Sequence, residues 1–321
     1  MMWVWMGLFG AAGASDLVNA SAEDGLEFTV ALGAEFGTQT FSACTGSLIS
    51  PQVILTAAHC GADFPMEMVV AAGKAFFGPR VDQAETVGFA DGIIHPDYVE
   101  LQSGIGGTLG RNDVAILVLA EPVYSVEPVW IVEDSLEDVA EGELVTSIGF
   151  GVSDSAGGGS GIKRSAELVI DEVNSTFLVS NSATNEDGAN VCSGDSGGPQ
   201  VHWNGERWVQ WAVHSWADQN CTAQSGSTRV DVVSEWVLDQ LEDVHGTRDR
   251  CEMWEIYDDG VCDEDCDNVD PDCVDSSPTR GGADGESGSS KLFGGCSTVA
   301  PRSSGLLWCL GVLLLGLRRR R

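Results

Sequence analysis

The chain has 321 residues, and its 16 lysines and arginines stand against 49 aspartates and glutamates, which gives a formal net charge of −33. This balance argues against nucleic-acid binding, because each phosphate contact needs a cationic side chain. A disordered acidic chain is also excluded, because 43% of the residues are hydrophobic. Forty glycines favour a loop-rich, mostly β protein, and the ten cysteines, which stand in close groups, indicate an oxidising compartment.

Residues 1–14 predict a signal peptide. They carry no charged side chain, and Ala12 and Ala14 supply the small-x-small pattern that signal peptidase accepts. The segment is too short to span a bilayer, and polar Ser15 and Asp16 follow it, so we expect export and cleavage near Ala14. The alternative, a buried N-terminal strand, is disfavoured because large aromatic side chains would crowd one short apolar run.

From residue 27 to about residue 233 the chain predicts a β body. Short alternating or continuous apolar runs are broken by Gly, Ser, Asn and Asp, as in an antiparallel barrel or sandwich. Residues 232–244 predict a helix, since their large apolar side chains fall on one stripe: Val233, Trp236, Val237, Leu241 and Val244. A helix after a β body places a domain boundary near residue 245.

Three short motifs in the β body carry chemistry. They are TAAHC at residues 56–60, NDVAIL at residues 112–117 and GDSGGP at residues 194–199. A serine hydroxyl such as that of Ser196 is a weak nucleophile and needs a base with a pKa near ambient pH, which His59 can supply. The imidazole needs a fixed tautomer and a counter-charge, which the Asp113 carboxylate can provide. The motifs therefore predict a Ser-His-Asp triad.

In this order the motifs resemble those of the trypsin-like serine proteases of the chymotrypsin fold, over about residues 17–244. The resemblance implies an all-β fold of two antiparallel six-stranded barrels with a C-terminal helix. It implies an endopeptidase that forms an acyl-enzyme intermediate on protein or peptide substrates and needs no cofactor or active-site metal. It also assigns the oxyanion hole to the backbone N–H groups of Gly194 and Ser196.

The resemblance further implies two disulfides, Cys44–Cys60 and Cys192–Cys221. Metal binding by these four cysteines is disfavoured, because none belongs to a Cys-x₂-Cys pair. Members of the family become active when a new N-terminus folds inward and pairs with the Asp before the catalytic Ser.

Leu17 stands at the corresponding N-terminal place, and Asp195 is its expected partner. If signal peptidase cuts after Ala14, only Ser15 and Asp16 remain to be removed. We expect this dipeptide to block activity.

The resemblance assigns the substrate pocket to Asn190, Ser215, Trp216 and Ala217. Asn190, six positions before the nucleophile, stands at the pocket floor, and its neutral amide cannot pair with a buried Lys or Arg side chain. Ala217 narrows the entrance, and Ser215 lies against the triad Asp. We therefore expect cleavage after a small, polar or medium apolar residue, unless Asn190 points away from the pocket.

Residues 247–275 form an acidic, Cys-rich segment. Its closely spaced carboxylates between Asp258 and Asp272 are ligands that Ca²⁺ accepts, although the EF-hand order is absent. The alternative, which we favour, is a solvated stalk with two disulfides, and zinc is disfavoured because disulfides form first in an exported chain. The sequence leaves open the pairing of the last six cysteines: Cys251, Cys262, Cys266, Cys273, Cys296 and Cys309.

Residues 276–295 predict a flexible Gly/Ser-rich linker. After Cys296 come an apolar run at residues 306–317 and four terminal arginines. This pattern resembles the C-terminal sorting signal of myxobacterial surface proteins, the MYXO-CTERM tail. It implies processing at Cys296 by sorting machinery and retention at the cell surface. The alternative is an uncleaved membrane anchor.

The predicted organisation has six parts: a signal peptide (1–14), a short propeptide (15–16), a protease domain (17–246), an acidic Cys-rich segment (247–275), a linker (276–295) and a sorting tail (296–321). A competing hypothesis is a surface interaction protein with an inactive protease domain and a cation-binding acidic module. The intact His59, Asp113 and Ser196 argue against it.

Overall fold

The computed structural model describes residue 17 and residues 19–62, 66–102, 108–138, 141–153, 158–263, 266 and 268–273. The predicted signal peptide, propeptide, linker and tail, with Cys296 and Cys309, lie outside these residues. Within the described ranges, no helix is both long enough and apolar enough to cross a membrane.

The first half of the chain forms a closed antiparallel barrel in the order β2-β3-β4-β9-β6-β5, beside a hairpin of β7 and β8. Every residue of β4 and β9 is buried, which is why both read as continuous apolar runs. Two short helices, α1 and α2, follow β4. The bounds are β1 (Ser21–Ala22), β2 (Thr29–Phe36), β3 (Gln39–Ser50), β4 (Val53–Thr56), α1 (His59–Ala62), α2 (Met66–Ala72), β5 (Gly73–Phe77), β6 (Glu85–Ile94), β7 (Val99–Gln102), β8 (Thr108–Arg111) and β9 (Ala115–Leu119).

The second half supplies eight more strands, which with β1 form one nine-stranded sheet. They are β10 (Trp130–Ile131), β11 (Leu144–Gly149), β12 (Arg164–Val169), β13 (Glu172–Val173), β14 (Phe177–Asn181), β15 (Pro199–Trp203), β16 (Trp208–Ala217) and β17 (Gln224–Arg229). Short 3₁₀ turns occupy Leu136–Asp138, Glu186–Gly188 and Pro271–Cys273.

The predicted second six-stranded barrel is not found in that form. The sheet runs β1-β12-β11-β15-β16-β17-β14-β13, with β10 added in parallel to β16. Its last strand, β13, follows β12 in the chain after only two residues, so the sheet curves back towards its own second strand. Residues 170–171 connect β12 directly to β13, and this short connection brings the last strand of the sheet back towards β12.

The predicted C-terminal helix is confirmed as α3 (Ser234–His245), which lies within two residues of the expected bounds. Its side chains Val237 and Leu241 are buried. They belong to a hydrophobic cluster that also contains Leu48 and Ile54 of the barrel. The helix therefore packs into a core shared with the first half of the chain.

The acidic, Cys-rich segment packs against the β body. Its first turn, α4 (Arg250–Met253), is followed by Trp254, and both Met253 and Trp254 belong to the main hydrophobic core. The Arg250 guanidinium lies 3.4 Å from the centre of the Trp130 ring, in cation–π contact. The described residues of this segment belong to the same compact unit as the β body.

The rest of this segment is folded by disulfides and a central carboxylate. Cys251–Cys266 and Cys262–Cys273 are both formed, which answers the pairing that the sequence left open for these four cysteines. The Asp270 carboxylate accepts hydrogen bonds from the backbone N–H groups of Asp258, Asp263 and Asp272. These bonds hold the pKa of Asp270 below its usual value. The segment is a folded loop attached to the β body.

Replacing the Trp254 side chain tests this attachment. Trp254 is 8% exposed, so Trp254→Ala leaves a cavity, and we expect the free energy of unfolding to fall by about 3–5 kcal/mol. Urea denaturation measures the change. Val261→Ala, at a position 61% exposed in the same segment, should change it by less than about 0.5 kcal/mol. Equal effects of the two variants would contradict the packing described here.

Candidate active site

A cleft of about 330 Å³ is lined by residues from both halves of the chain. His59, at the start of α1, lines it from the barrel side. Ser196 lines it from the loop before β15, and Ser215, Trp216 and Ala217 line it from the end of β16. The cleft therefore contains most of the side chains that the sequence singled out.

His59 and Asp113 form a direct side-chain pair. His59 Nδ1 lies 2.8 Å from Asp113 Oδ2, and the backbone N–H of His59 donates to Asp113 Oδ1 at 2.9 Å. The carboxylate only accepts hydrogen bonds, so the proton of a neutral His59 ring lies on Nδ1, and Nε2 carries the lone pair that can accept a proton. The Asp113 side chain is 1% exposed, whereas that of His59 is 22% exposed and faces the cleft.

The backbone before Asp113 sets its position. Asn112 adopts a left-handed conformation (φ 50°), which Asn tolerates better than most residues, and its Nδ2 donates to the Asp97 carbonyl at 3.2 Å. Ser215 Oγ donates to Asp113 Oδ2 at 2.6 Å from the opposite half of the molecule. This contact of Ser215 was expected from the resemblance.

The loop that carries Ser196 is fixed by backbone hydrogen bonds. Thr45 N in β3 donates to the Ser196 carbonyl at 2.8 Å, and Gly197 N donates to the His214 carbonyl at 2.8 Å. Gly197 has φ 82°, and a Cβ atom there would lie 2.1 Å from Thr56 Oγ1, so only glycine fits. Strands of both halves thus position the nucleophile loop.

The predicted oxyanion-hole groups are free donors. The backbone N–H groups of Gly194 and Ser196 make no hydrogen bond with any acceptor in the described part of the chain. The Gly194 carbonyl, in contrast, accepts a bond from Thr45 Oγ1 at 2.9 Å, which fixes the orientation of this peptide. Two unoccupied N–H donors beside a serine are what a developing oxyanion requires.

Both disulfides implied by the resemblance are formed. Cys44–Cys60 joins β3 to the residue after His59, and Cys192–Cys221 joins the nucleophile loop to the segment after β16. The first closes a loop of 16 residues' separation, which is worth about 3 kcal/mol on the chain-entropy description. The sulfurs of Cys44 and Cys60 lie within 4.8 Å of a His59 ring nitrogen, but a disulfide offers no thiolate ligand to a metal ion.

Asp195 is a buried carboxylate, and no ammonium group pairs with it among the residues that the structure describes. Its Oδ1 accepts the backbone N–H of Gly151 at 2.8 Å, and its Oδ2 accepts that of Cys192 at 2.9 Å. Burial raises the pKa of Asp195 to about 7, and the two backbone bonds and the charge of Arg164 only partly oppose this shift. Below neutral pH the carboxyl is therefore largely protonated.

Leu17, the expected activation partner, lies in the same region. It is 1% exposed and packs in a small apolar cluster with Ala20 and Val191. Among the described residues it is not a hydrogen-bond partner of the Asp195 carboxylate. Asn19 adopts a left-handed backbone conformation (φ 66°), which Asn tolerates better than most residues.

Asn190 is fully buried, and the two residues that follow it, Val191 and Cys192, line the cleft. Its Nδ2 donates to the Ala223 carbonyl at 3.4 Å, and its Oδ1 has no hydrogen-bond partner among the described residues. Its place at the floor of the substrate pocket stays a prediction.

Among the cleft residues that sequence reasoning missed, His214, Asp218 and Gln219 flank the predicted pocket residues 215–217. Nδ1 of His214 lies 3.0 Å from Ser227 Oγ, and burial lowers the pKa of His214 to about 3, so the ring is neutral. Both carboxylate oxygens of Asp218 accept backbone N–H bonds, from Asn220 and Ala223. Their position in the chain directly beside Ser215, Trp216 and Ala217 was the only feature of the sequence that could have identified these residues.

Comparisons with known proteins agree with this geometry. A sequence model of the trypsin family matches residues 19–237, a range that contains His59, Asp113 and Ser196. The chain is 33% identical to a brachyurin of Leptuca pugilator over 212 residues, which cover 61% of this chain and 87% of that protein. It is 28% identical to a vitellin-degrading protease of Bombyx mori over 177 residues, or 50% of this chain and 62% of that protein.

The raised pKa of Asp195 predicts a pH-dependent stability. The unfolded carboxyl has a pKa of 3.8 and the folded one about 7, so between these values only the folded state keeps the proton. The free energy of unfolding should therefore fall as the pH rises from about 4 to about 7, by at most about 4 kcal/mol. Asp195→Asn should remove this decline.

Urea titrations of the Ser196→Ala protein beginning at Ser15, with and without Asp195→Asn, measure the difference across this pH range. Parallel pH profiles for the two proteins would contradict the assignment.

Proposed function

Because the chain belongs to the trypsin family of serine endopeptidases, we propose that Ser196, His59 and Asp113 form its catalytic triad and hydrolyse peptide bonds of proteins. The observation that carries this proposal is the pairing of His59 Nδ1 with the buried Asp113 carboxylate. It fixes the ring tautomer that leaves Nε2 as the base on the cleft side.

In the proposed reaction, Ser196 Oγ attacks the substrate carbonyl carbon and its proton passes to His59 Nε2. The carbonyl oxygen becomes an oxyanion, which accepts hydrogen bonds from the free N–H groups of Gly194 and Ser196. His59 then protonates the leaving amine, the C–N bond breaks, and an acyl-Ser196 ester remains. Water, deprotonated by His59, attacks this ester, the bond between the acyl carbon and Ser196 Oγ breaks, and His59 returns the proton to Oγ as the acid is released. The negative charge of Asp113 stabilises the imidazolium at each step.

We also propose that activity requires a new N-terminus at Leu17. The ammonium group of this terminus would supply the missing cationic partner of Asp195 and lower its pKa. Burial of Leu17 next to Val191, four residues before Asp195, supports the proposal. Removal of Ser15 and Asp16 would then be the activating step.

For specificity, we propose cleavage after a small, polar or medium apolar residue. The part of the cleft beside Ser196 is lined by Val191, neutral His214 and Ala217. The single carboxylate in that lining, Asp218, is occupied by backbone N–H groups, and buried Asn190 carries no charge. Such a pocket offers a Lys or Arg side chain only a carboxylate whose two oxygens already accept backbone N–H bonds, which makes it a weaker partner for a buried cation.

Export and surface retention complete the proposal. The four disulfides fit an oxidising compartment, and the tail with Cys296 resembles a surface-sorting signal. Ca²⁺ binding at residues 258–272 is a secondary proposal with weaker support, because the Asp270 carboxylate is already engaged by three backbone N–H groups.

Covalent labelling with a fluorophosphonate tests the triad and the activation step together. A protein beginning at Leu17 should label at Ser196, and one beginning at Ser15 should label far more slowly, because Asp195 then lacks its cationic partner. Ser196→Ala must remove the label, and Asp113→Asn should slow peptide hydrolysis by about 10⁴-fold because the tautomer is lost. An unlabelled Leu17 form would favour the competing interaction protein, and equal labelling of both forms would overturn the activation step.

Cleavage of a peptide library by the active form tests the specificity. The residue before the cleaved bond should be small, polar or medium apolar, and peptides with Lys or Arg there should be cut at least about tenfold more slowly. Mass spectrometry of the products identifies the cleaved bonds. A profile dominated by Lys or Arg would contradict the neutral pocket.

A further inference from the structure

A groove of about 420 Å³, which we call the tryptophan groove, lies where β10 meets the hairpin of β15 and β16. Three of the ten tryptophans line it: Trp130, Trp203 and Trp208. It shares no lining residue with the catalytic cleft. Trp208 begins β16, and His214 of the cleft lies further along the same strand, so at about 3.3 Å per residue the two are about 20 Å apart. The tryptophan groove is therefore a separate surface of the molecule.

The hairpin holds Trp203 and Trp208 in a fixed arrangement. The two residues are register partners across β15 and β16, and their rings meet edge to face with centres 5.4 Å apart. In the turn between them, Asn204 Oδ1 accepts the backbone N–H groups of Glu206 at 3.0 Å and Arg207 at 2.9 Å. Trp203 is nevertheless 48% exposed. A large ring that is held in place and still faces solvent offers a preformed binding surface.

Carboxylates dominate the charged side chains of the tryptophan groove. Glu27, Glu127 and Glu206 line it and are exposed, and Arg207 is the one cation among its described lining residues. Three carboxylates against one guanidinium give the lining a net charge of −2. Arg207 lies 3.8 Å from Glu206, whereas neither Glu27 nor Glu127 forms a salt bridge in the described part of the chain. Two carboxylates are thus available to a cationic ligand.

The aromatic wall of the groove already binds guanidinium groups of the chain itself. Arg207 Cζ lies 4.1 Å from the centre of the Trp130 ring, and Arg250 Cζ lies 3.4 Å from it. A guanidinium suits such a wall because it is planar, weakly hydrated and attracted to the face of an indole. Among the described residues, no arginine lies over the rings of Trp203 and Trp208. These two rings offer the same kind of surface to a cation from outside the chain.

We propose that the tryptophan groove binds an arginine side chain of a second polypeptide and so docks an arginine-rich segment of a partner protein. The guanidinium stacks on Trp203 or Trp208, and the carboxylates of Glu27 and Glu127 accept its N–H groups. The net charge of −33 attracts a basic partner and speeds its approach. The inference uses no step of the proposed function, and a partner docked in the groove leaves the catalytic cleft open.

Binding of tetra-arginine with blocked termini tests the proposal. Isothermal titration calorimetry with the Ser196→Ala protein beginning at Ser15 measures the Kd without cleavage of the peptide. Tetra-citrulline has the same shape without the charge and should bind at least about tenfold more weakly. Tetra-lysine has the same charge and should bind severalfold more weakly than tetra-arginine, because an ammonium group does not stack on an indole as a guanidinium does.

Two variants of the groove, each with a matched control, locate the binding. Trp203→Ser should raise the Kd of tetra-arginine about fivefold, whereas Phe36→Ser, at an aromatic position 68% exposed on β2, should leave it unchanged. Glu127→Gln should raise the Kd about threefold, and it keeps the test decisive if Trp203→Ser fails to fold. Glu35→Gln removes the same charge from another exposed position and should have a smaller effect.

Equal effects of Glu127→Gln and Glu35→Gln would indicate diffuse attraction to an acidic surface and would overturn the proposal. Binding that Trp203→Ser and Glu127→Gln both leave unchanged would place the peptide elsewhere, the catalytic cleft included, with the same consequence. Equal affinity for tetra-lysine or tetra-citrulline would remove the role of the guanidinium. Cellohexaose is the neutral comparison: if it binds to the groove in a manner that Trp203→Ser abolishes, while tetra-arginine does not bind, the groove is a sugar site and the proposal is wrong.

Discussion

The buried carboxylate of Asp113 is the constraint on which the candidate site depends. An ionised carboxyl with almost no solvent exposure is stable only when donors surround it, and here they come from two directions. His59 donates through its backbone and its ring from the barrel half, and Ser215 donates through its hydroxyl from the sheet half. The Asp113 carboxylate therefore has all of these donors only when the two halves of the chain are in contact.

The loop that carries Ser196 is likewise held from both halves of the chain, through hydrogen bonds of its backbone groups. Thr45 in the barrel binds the carbonyl groups of Ser196 and Gly194, and the strand of His214 accepts from Gly197. Among the described residues, the backbone N–H groups of Gly194 and Ser196 meet no acceptor, so they remain available to an acceptor that enters the cleft.

What the sequence could predict follows the distinction between local and distant contacts. Motifs of a few residues identified His59, Asp113 and Ser196, and the apolar stripe identified α3, because local order defines both. The curvature of the nine-stranded sheet, the burial of Asn190 and the neutral His214 in the cleft wall arise from residues far apart in the chain. The sequence pattern predicted a separate stalk at residues 247–275 for the same reason. The contact that attaches this segment joins Trp254 to Trp130, which lies more than 100 positions earlier in the chain.

The packing of the Cys-rich segment also determines how a mechanical load would enter the protein. Tension applied to the chain beyond Cys273 passes first through Cys262–Cys273 and Cys251–Cys266, which cannot extend. The load next reaches Arg250 and Trp254, which pack against the β body. It therefore acts on this contact before it acts on α3 or on β16, the strand that carries Ser215. An enzyme held by this end can be pulled by flow or by a moving surface while its cleft keeps its shape.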